Sequence, residues 1–269
     1  MGVDLVQNMR PVKGFLLDIT GVLYNSCAGT DGIAISGSIE AVKRLYKEAS
    51  VKFLSNESTN TTEYVVSKLK RLGFEIETED VITPAPVAAN YVRMNNLRPH
   101  TLVYPGVSTY FETFEKSNPT CVVLGDAEHE FTYHSMNAAF RALMAMNDPL
   151  LISLGNGRFY QRVDGPCIDV GAFAAALKFS TNCKHVVIGK PTPEYFQAGL
   201  DSLGMTKDEV IMIGDDIVSD VGGALSFGLR GVQVRTGKWR SCWENHESVR
   251  PTLIVDNLKQ AVDIFLGPE

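Results

Sequence analysis

Four apolar runs of this sequence end in residues that can bind a cation, attack an electrophile or balance charge. The residues at the four ends are Asp18 and Thr20, then Ser55 and Asn56, then Lys190, and finally Asp215, Asp216 and Asp220. Each run has the length and composition of a buried strand. Because open α/β sheets bind their ligands at the carboxyl ends of the strands, we expect these side chains to surround one site.

This set of side chains suits the transfer of a phosphoryl group. Asp18 could attack phosphorus and form an acyl phosphate. Mg²⁺ takes oxygen ligands and would suppress the repulsion between Asp18 and the phosphate, with Asp215 as the second carboxylate ligand. A backbone carbonyl near Thr20 could be a third ligand. Lys190 would balance the cluster of negative charge and hold a phosphate oxygen.

Ser55 and the backbone N–H groups near Asn56 could donate hydrogen bonds to the other phosphate oxygens. Taken singly, each segment has an ordinary structural explanation, such as a turn, a loop cap or the start of a helix. The strongest single signal is Gly214-Asp215-Asp216, because two adjacent acids after an apolar strand are costly unless a cation lies near them. The interpretation depends on all four segments occurring in order, each at a strand end.

The composition is that of an ordinary globular protein. Of the 269 residues, 45% are hydrophobic and 21% are charged, and the formal net charge is −6. No stretch approaches the roughly 18 consecutive apolar residues of a membrane-spanning helix. The negative charge disfavours a nucleic-acid surface, and no secretory signal is visible at the N-terminus. Five scattered cysteines without a C-x-x-C pair predict neither a zinc site nor a disulfide framework, and they favour a reducing compartment.

The apolar runs alternate with amphipathic helices, which predicts a parallel α/β sheet. We expect strands at 12–19, 51–54, 185–188, 209–213 and 231–234 and helices at 38–50 and 62–72, with Ser38 as an N-cap. Between them, strands at 101–104, 120–124 and 149–154 and a helix at 134–146 end in no such side chains. We therefore predict a discontinuous core domain, residues 1–89 and 183–269, interrupted by an inserted domain at 90–182.

The four segments also resemble a known family. D-I-T-G-V-L, F-L-S-N, G-K-P and G-D-D-x-x-x-D look like the four motifs of the haloacid dehalogenase-like hydrolase superfamily. The insert between the second and third motifs is similar to that of the subclass with a large α/β cap, which includes pyridoxal phosphatase, nitrophenyl-phosphatase-like enzymes and bacterial nucleotide phosphatases. The resemblance covers nearly the whole chain. It implies a Rossmann-like, doubly wound core, an α/β cap at 90–182 and a Mg²⁺-dependent hydrolase.

The resemblance also assigns a role to each position. It implies that Asp18 is the nucleophile and a Mg²⁺ ligand, and that the main-chain carbonyl of Thr20 and the side chain of Asp215 are further Mg²⁺ ligands. It implies that Ser55 and Asn56 bind phosphate and that Lys190 balances charge. Asp216 and Asp220 would hold metal-bound water or orient Lys190.

Thr20 departs from the family's pattern. Most phosphatases of the superfamily carry Asp two residues after the nucleophile, as acid for the leaving group and base for the attacking water. A hydroxyl cannot supply a proton at neutral pH as a carboxylic acid can, and general acid–base catalysis is worth about 10²–10⁴-fold. We therefore expect slow hydrolysis of alkyl phosphates. We expect faster hydrolysis of inorganic pyrophosphate and of the N–P bonds of phosphohistidine and phospholysine, through an aspartyl-phosphate on Asp18.

Two other functions stay open. One is a phosphomonoesterase of the pyridoxal phosphate or nucleotide type, against which Thr20 argues. The other is a catalytically weak regulatory protein that binds phosphorylated partners or stays phosphorylated on Asp18. Turnover with Mg²⁺ would separate an enzyme from a binding protein. A nicotinamide-binding protein is disfavoured because no G-x-G-x-x-G follows the first strand.

A cap excludes water and shapes the leaving-group site. The candidate cap contacts are Glu128, His129, Tyr133, Asn156 and Arg158. The expected partners are a small phosphorylated substrate or a phosphoamino acid side chain, and a second copy of the chain bound through the cap. Neither nucleic acid nor a membrane is expected. By analogy with the family, the protein would be cytoplasmic and also nuclear.

Overall fold

The computed structural model describes residues 11–27, 29–162 and 165–267. The strands are β1 (Gly14–Leu17), β2 (Tyr24–Asn25), β3 (Ile33–Ala34), β4 (Ser50–Leu54), β5 (Val81–Ile82), β6 (Pro99–Leu102), β7 (Cys121–Leu124), β8 (Leu150–Ser153), β9 (Phe159–Arg162), β10 (Gly165–Ile168), β11 (Lys184–Val187), β12 (Val210–Gly214), β13 (Arg230–Val234) and β14 (Leu253–Val255). The α-helices are α1 (Ser38–Glu48), α2 (Thr62–Arg71), α3 (Pro84–Met94), α4 (Tyr133–Met144), α5 (Val170–Thr181), α6 (Pro193–Leu203), α7 (Gly223–Phe227) and α8 (Leu258–Leu266). A π-helical turn at Ile217–Gly222 runs into α7.

The chain divides into two compact units. The first, which we call the core unit, contains the residues up to Ser55, Glu63–Ile82 and the residues from Lys190 onward. The second, the inserted unit, contains Asn56–Thr62 and Thr83–Gly189. The inserted unit is therefore longer than the predicted 90–182, because it also includes Asn56–Thr62, the first part of α3 and β11.

The core unit contains a six-stranded parallel sheet in the order β14-β13-β12-β1-β4-β5. From β1 the chain builds outward through β4 and β5 on one side, and later through β12, β13 and β14 on the other. The strand order reverses between β1 and β12, and open α/β sheets bind their ligands at such a switch point. The doubly wound α/β fold predicted from the sequence is confirmed.

The core sheet is held by apolar packing. Every residue of β1 and β12 is buried, as expected for parallel strands that are covered on both faces. Phe15 and Ile211 of these strands belong to one hydrophobic cluster with Leu45 of α1 and Leu258 of α8. Burying each such side chain contributes about 1.5–3 kcal/mol. The sheet is thus a stable platform for the residues at its carboxyl edge.

The inserted unit has a parallel sheet of its own, in the order β11-β8-β7-β6. Val122 of β7 and Leu151 of β8 pack in one cluster with Ala139 of α4 and Leu177 of α5. Strands β9 and β10 form a separate antiparallel pair. The three strands and the helix predicted for this part of the chain are confirmed, at the slightly different bounds of β6, β7, β8 and α4.

The prediction that residues 185–188 form a strand of the core sheet is wrong. This strand, β11, pairs in parallel with β8 of the inserted unit, with Val186 opposite Ile152 and Val187 opposite Ser153. A short apolar run looks the same whichever sheet it joins, so its periodicity could not decide between two sheets. At one edge of the core sheet, the two-residue strand β5, which is not among the strands predicted from the sequence, pairs with β4.

Three smaller expectations can be compared with the structure. Ser38 is the first residue of α1 rather than its N-cap, which is Gly37. Oγ of Ser38 lies within hydrogen-bond distance of the carbonyls of Leu23, at 2.8 Å, and Ile35, at 2.6 Å. All five cysteines are free. Within the described residues, none of the helices combines the length and the apolar character that crossing a bilayer needs.

Candidate active site

Strands β1 and β12 bring two carboxylates to the switch point of the core sheet. Leu17 of β1 lies opposite Ile213 of β12. Asp18 follows β1, and its backbone N–H donates to the Ile213 carbonyl at 2.9 Å. Asp215 directly follows β12. The two acids therefore leave neighbouring strands at the same edge of the sheet.

Asp220 joins these two residues to form a cluster of three carboxylates. One oxygen from each of Asp18, Asp215 and Asp220 lies within 4.8 Å of the others. Their exposed fractions are 9%, 2% and 1%. Like charges this close and this far from water repel one another strongly. The cluster therefore needs cations or protons to offset its charge.

Lys190 places one ammonium group inside the cluster. Its Nζ lies 2.5 Å from Oδ1 of Asp18 and 2.8 Å from Oδ1 of Asp220, and the side chain is buried. Burial by itself would lower the pKa of Lys190, but the two carboxylates outweigh it, so the pKa is raised. Lys190 therefore stays charged and fixes the orientation of Asp18.

The carboxyl group of Asp215 is only partly satisfied by hydrogen bonds. Its Oδ2 accepts a hydrogen bond from the backbone N–H of Lys238 at 2.7 Å. Its buried Oδ1 has no hydrogen-bond partner among the described residues. Burial, followed by the charges of Asp18 and Asp220, raises the pKa of Asp215 to about 8. A buried carboxylate oxygen without a donor, beside two more carboxylates, fits a hard cation with oxygen ligands such as Mg²⁺.

Asp216 and Asp220 organise the turn that follows β12. Oδ1 of Asp216 accepts two backbone N–H groups of the π-helical turn, each at 3.0 Å, and Nζ of Lys238 lies 3.3 Å from Oδ2. Burial would raise the pKa of Asp216, but Lys238 and these N–H donors lower it. Oδ2 of Asp220 accepts the Asp216 N–H at 3.1 Å. Burial raises the pKa of Asp220 to about 6, although Lys190 opposes the shift.

Two glycines from distant parts of the chain make room for Asp215. Gly21 has a φ of +90° and Gly237 a φ of +60°, which are backbone conformations that favour glycine. A Cβ on either residue would lie 2.0 Å from Oδ2 of Asp215. A side chain at either position would displace the carboxylate.

The segment 233–238 supports the site, although its residues are not among the site residues predicted from the sequence. Nε2 of Gln233 donates to the main-chain carbonyl of Asp215 at 2.8 Å. The Thr236 hydroxyl donates to the carbonyl of Gly21 at 2.5 Å. Gln233 is 1% exposed inside the apolar strand β13. A polar residue inside an apolar strand is costly to bury without partners, and this is the signal that could have pointed to the segment.

Ser55 follows β4, which pairs with β1 on the side opposite β12. It is buried, and its backbone N–H donates to the Ile82 carbonyl at 3.0 Å. The hydroxyl of Tyr195 donates to the Ser55 carbonyl at 2.5 Å. Burial and the charge of Asp18 raise the pKa of Tyr195. Tyr195 thus holds the main chain at Ser55, and this residue is not among the site residues predicted from the sequence. Asn56 belongs to the inserted unit.

Thr20 lies two residues beyond Asp18, and its side chain is exposed. Its Oγ1 lies 3.2 Å from the hydroxyl of Tyr24, and Nζ of Lys68 donates to the same hydroxyl at 2.9 Å. Tyr24 and Lys68 were not predicted as site residues, because nothing in their sequence positions links them to Thr20. Metal binding by the carbonyl of Thr20 stays a prediction.

The five candidate cap contacts lie in the inserted unit. Glu128 and His129 come after β7, and Asn156 and Arg158 come after β8, which pairs with β7. Tyr133 is the first residue of α4 and is 90% exposed. Contact between these residues and a substrate stays a prediction.

Comparison with known proteins shows two family matches. The model of the family described as haloacid dehalogenase-like hydrolase matches residues 15–129. A model described as HAD-hydrolase-like matches residues 187–261. Between them the two matches contain all four strand ends identified from the sequence.

Individual proteins resemble the chain over nearly its full length. The phospholysine phosphohistidine inorganic pyrophosphate phosphatase of Homo sapiens is 47% identical over 97% of this chain and 96% of its own. The haloacid dehalogenase-like hydrolase domain-containing protein 2 of Bos taurus is 34% identical over 96% of this chain and 97% of its own. A solved 4-nitrophenylphosphatase of Thermotoga maritima shares the fold, with a TM-score of 0.85 at 24% identity over 98% of this chain and 99% of its own. From these matches, this chain belongs to the haloacid dehalogenase-like hydrolase family and is a hydrolase.

Proposed function

We propose that this chain is a Mg²⁺-dependent phosphatase that hydrolyses inorganic pyrophosphate and the N–P bonds of phosphohistidine and phospholysine through an aspartyl-phosphate on Asp18. The observation that carries the proposal is the buried carboxylate cluster. Lys190 holds Asp18 there, and Asp215 keeps one oxygen without a partner among the described residues. The name of the human relative, which is 47% identical, supports the substrate class.

Asp18 is the residue that would attack phosphorus. In the first step, an oxygen of its carboxylate forms a bond to phosphorus while the bond from phosphorus to the leaving oxygen or nitrogen breaks. The electron pair of that bond stays on the leaving group. In the second step, a water oxygen attacks phosphorus and the bond to Asp18 breaks. Its electrons return to the carboxylate, and the proton of the water goes to solvent.

Lys190 and Ser55 would bind the oxygens of the phosphoryl group. The Lys190 ammonium lies 2.5 Å from Asp18, so a phosphoryl group attacked by Asp18 would bring an oxygen within its reach. Ser55, at the same edge of the sheet, and the backbone N–H groups near Asn56 would donate to the other oxygens. Donors fixed in place before the reaction stabilise the charge that develops on these oxygens.

Asp18, Asp215 and the main-chain carbonyl of Thr20 would hold Mg²⁺. The fit rests on the unpartnered Oδ1 of Asp215 and on the raised pKa of that residue. When bound, the ion supplies positive charge that offsets the repulsion between carboxylates and phosphate. Asp216 and Asp220 would hold water bound to the metal or orient Lys190. The 2.8 Å contact between Asp220 and Lys190 favours the orienting role for Asp220.

Thr20 supports the choice of substrates. A threonine hydroxyl can donate a hydrogen bond, but it is not an acid at neutral pH. Pyrophosphate releases phosphate as its leaving group, and an N–P bond breaks readily once its nitrogen is protonated, so neither depends on a strong acid in the site. An alkyl ester releases a poor leaving group, and its hydrolysis should be slow.

The inserted unit would act as a cap, with Glu128, His129, Tyr133, Asn156 and Arg158 as its contacts to the substrate. The proposed assembly is a homodimer formed through this unit. The proposed locations are the cytoplasm and the nucleus. The five free cysteines support a reducing compartment.

The test is phosphate release from pyrophosphate, a phosphoramidate and an alkyl phosphate, with Mg²⁺ and with chelator, for the wild type and Asp18→Asn. We expect Mg²⁺-dependent release from the first two that is lost in Asp18→Asn. Faster release from the alkyl phosphate would keep Asp18 as nucleophile and favour a phosphomonoesterase. Absence of release from all three would favour a regulatory binding protein.

A further inference from the structure

Gln233 is a buried polar residue in the apolar strand β13, and the proposed function gives it no role so far. Its neighbours Val232 and Val234 pack in the hydrophobic cluster of the core unit, so the Gln233 side chain lies on the opposite face of the sheet. Gln233 pairs with Gly214 of β12, the residue before Asp215. The pairing of the two strands therefore brings its amide to the carboxyl end of β12.

Both N–H groups of this amide are used at the ends of β12 and β13. Nε2 of Gln233 lies 2.8 Å from the main-chain carbonyl oxygen of Asp215 and 2.9 Å from that of Val234. A carbonyl oxygen can only accept, so the atom that faces both must be the amide nitrogen. Rotating the amide would place Oε1 against two carbonyl oxygens. The orientation of the Gln233 amide is therefore fixed.

The peptide group that joins Asp215 to Asp216 is held at both ends. Its carbonyl accepts from Gln233, and its N–H donates to Oδ2 of Asp220 at 3.1 Å. Oδ1 of Asp220 lies 2.8 Å from Nζ of Lys190, the ammonium inside the carboxylate cluster. The peptide group therefore cannot rotate without breaking a hydrogen bond, and Gln233 holds one of its two ends.

Stability alone does not account for a glutamine at this position. Its Oε1 is buried and has no hydrogen-bond partner among the described residues. A buried polar atom without a partner costs free energy, and an apolar side chain in a strand such as β13 would avoid that cost. What the glutamine contributes is its two donated hydrogen bonds, one of which goes to the main chain of a proposed metal ligand.

We propose that Gln233 is a positioning residue for the divalent cation, because it holds the main chain of Asp215 and so aims Oδ1 of that residue at the ion. This inference rests on the Mg²⁺ site of the proposed function. The carboxylate itself is confined, since Oδ2 lies against Gly21 and Gly237 and accepts the backbone N–H of Lys238. The position of Oδ1 therefore follows that of the main chain.

Mg²⁺ and Ca²⁺ differ in how exactly their ligands must be placed. Mg²⁺ requires near-octahedral ligands at about 2.0–2.1 Å, whereas Ca²⁺ accepts varied geometry at about 2.3–2.6 Å. A residue that positions a ligand should therefore matter more for Mg²⁺ than for Ca²⁺. A residue that only stabilises the fold should affect both ions equally.

The test is calorimetric titration of Mg²⁺ and of Ca²⁺ into the metal-free protein, without substrate. Gln233→Met keeps the length of the side chain and removes both donors. Partners that orient a metal ligand are typically worth about 10–100-fold in metal affinity. We therefore expect the Kd for Mg²⁺ to rise at least about tenfold and the Kd for Ca²⁺ to rise by no more than about threefold.

Two further variants separate positioning from a structural role. Gln233→Val suits a buried strand and should give the same selective loss, so the test survives if Gln233→Met does not fold. Ser38→Ala is the matched control, because it removes a buried hydroxyl that lies beside main-chain carbonyls of the core unit. It should leave both dissociation constants unchanged, whatever it does to the urea midpoint in chelator.

Equal losses of affinity for the two ions, or an affinity for Mg²⁺ that stays at the wild-type value in the Gln233 variants, would overturn the inference. Asp215→Asn distinguishes that result from a failure of the proposed function. If the wild type binds Mg²⁺ and Asp215→Asn binds it at least about tenfold more weakly, the metal site stands whatever Gln233 does. If the wild type binds no Mg²⁺, or Asp215→Asn binds it equally well, both proposals fall.

Discussion

Replacing Asp215 with asparagine should make the metal-free protein more stable, although it removes a proposed metal ligand. Burial and the charges of Asp18 and Asp220 raise the pKa of Asp215 from 3.8 to about 8. A carboxyl group with a raised pKa in the folded state binds its proton more tightly there, so its ionisation opposes folding. The contribution of Asp215 to the stability of the wild type is therefore most favourable below its unfolded pKa, and it is lost as the pH rises towards about 8.

The raised pKa sets the size of the effect. The interval from 3.8 to about 8 is about four units, and each unit corresponds to about 1.4 kcal/mol. At pH near 8, ionised Asp215 therefore lowers the free energy of unfolding by about 5 kcal/mol. Asparagine avoids this penalty. Its oxygen can still accept the hydrogen bond from the backbone N–H of Lys238, and its amide can donate at the position of the unpartnered Oδ1.

The assay is urea unfolding with chelator, from about pH 5 to about pH 8, of the wild type, Asp215→Asn and Asp216→Asn. The wild type should lose stability across this range, and Asp215→Asn should lose much less, because only the smaller rise in the pKa of Asp220, to about 6, remains. Asp216→Asn is the matched control of opposite sign. Lys238 and backbone N–H groups lower the pKa of Asp216 against the effect of burial, so its ionised form stabilises the fold above its unfolded pKa. Added Mg²⁺ should stabilise the wild type more than Asp215→Asn.

Two results would refute this reasoning. One is a difference between the wild type and Asp215→Asn that stays constant as the pH rises. The other is an Asp215→Asn protein that is less stable than the wild type near pH 8 in chelator. Either would show that the three-carboxylate cluster is not a source of strain in the metal-free fold.

Three further changes test other parts of the site. Lys190→Met should lower the unfolding free energy in chelator by about 3–5 kcal/mol, because it leaves two buried carboxylates without their cation; an unchanged urea midpoint would contradict this. Gly237→Ala should abolish Mg²⁺-dependent phosphate release, since its Cβ would lie 2.0 Å from Oδ2 of Asp215. Gly204→Ala, at a similar φ of +64° with nothing within 4 Å of its Cβ, should stay active, and equal losses would point to backbone strain alone. Thr20→Asp should speed phosphate release from an alkyl phosphate by at least about 10²-fold. An unchanged rate of release in this variant would contradict the interpretation of Thr20.

The main features of the core sheet could be predicted because they depend on local patterns. An apolar run that ends in an acid is visible within a few residues, and parallel strands share one carboxyl edge. That reasoning placed Asp18 and Asp215 together, and the pairing of β1 with β12 brings them there. The amphipathic pattern likewise predicted α1 and α2 close to their observed bounds.

The remaining features depend on contacts between distant parts of the chain. Nothing in the composition of the apolar run at β11 indicates which of the two sheets it joins. Its pairing with β8 places it in the sheet of the inserted unit. Lys190 contacts Asp18 as expected, although the strand before it belongs to the other sheet. Tyr24 and Lys68 meet across 44 residues of sequence. No spacing rule connects a residue in a two-residue strand with one on a helix surface, so the pair could not be predicted.

The two glycines around Asp215 limit how this sequence can change over time. A Cβ on Gly237 would lie 2.6 Å from the Cα of Gly21 as well as 2.0 Å from the Asp215 carboxylate. Neither glycine can therefore gain a side chain unless the opposite segment moves. A shorter acid in place of Asp215 does not exist among the standard residues, so no single replacement there keeps the charge and frees the space. Gly21, Asp215 and Gly237 lie far apart along the chain, but they are sterically coupled. A substitution at one of these positions would therefore require a compensating change at the others.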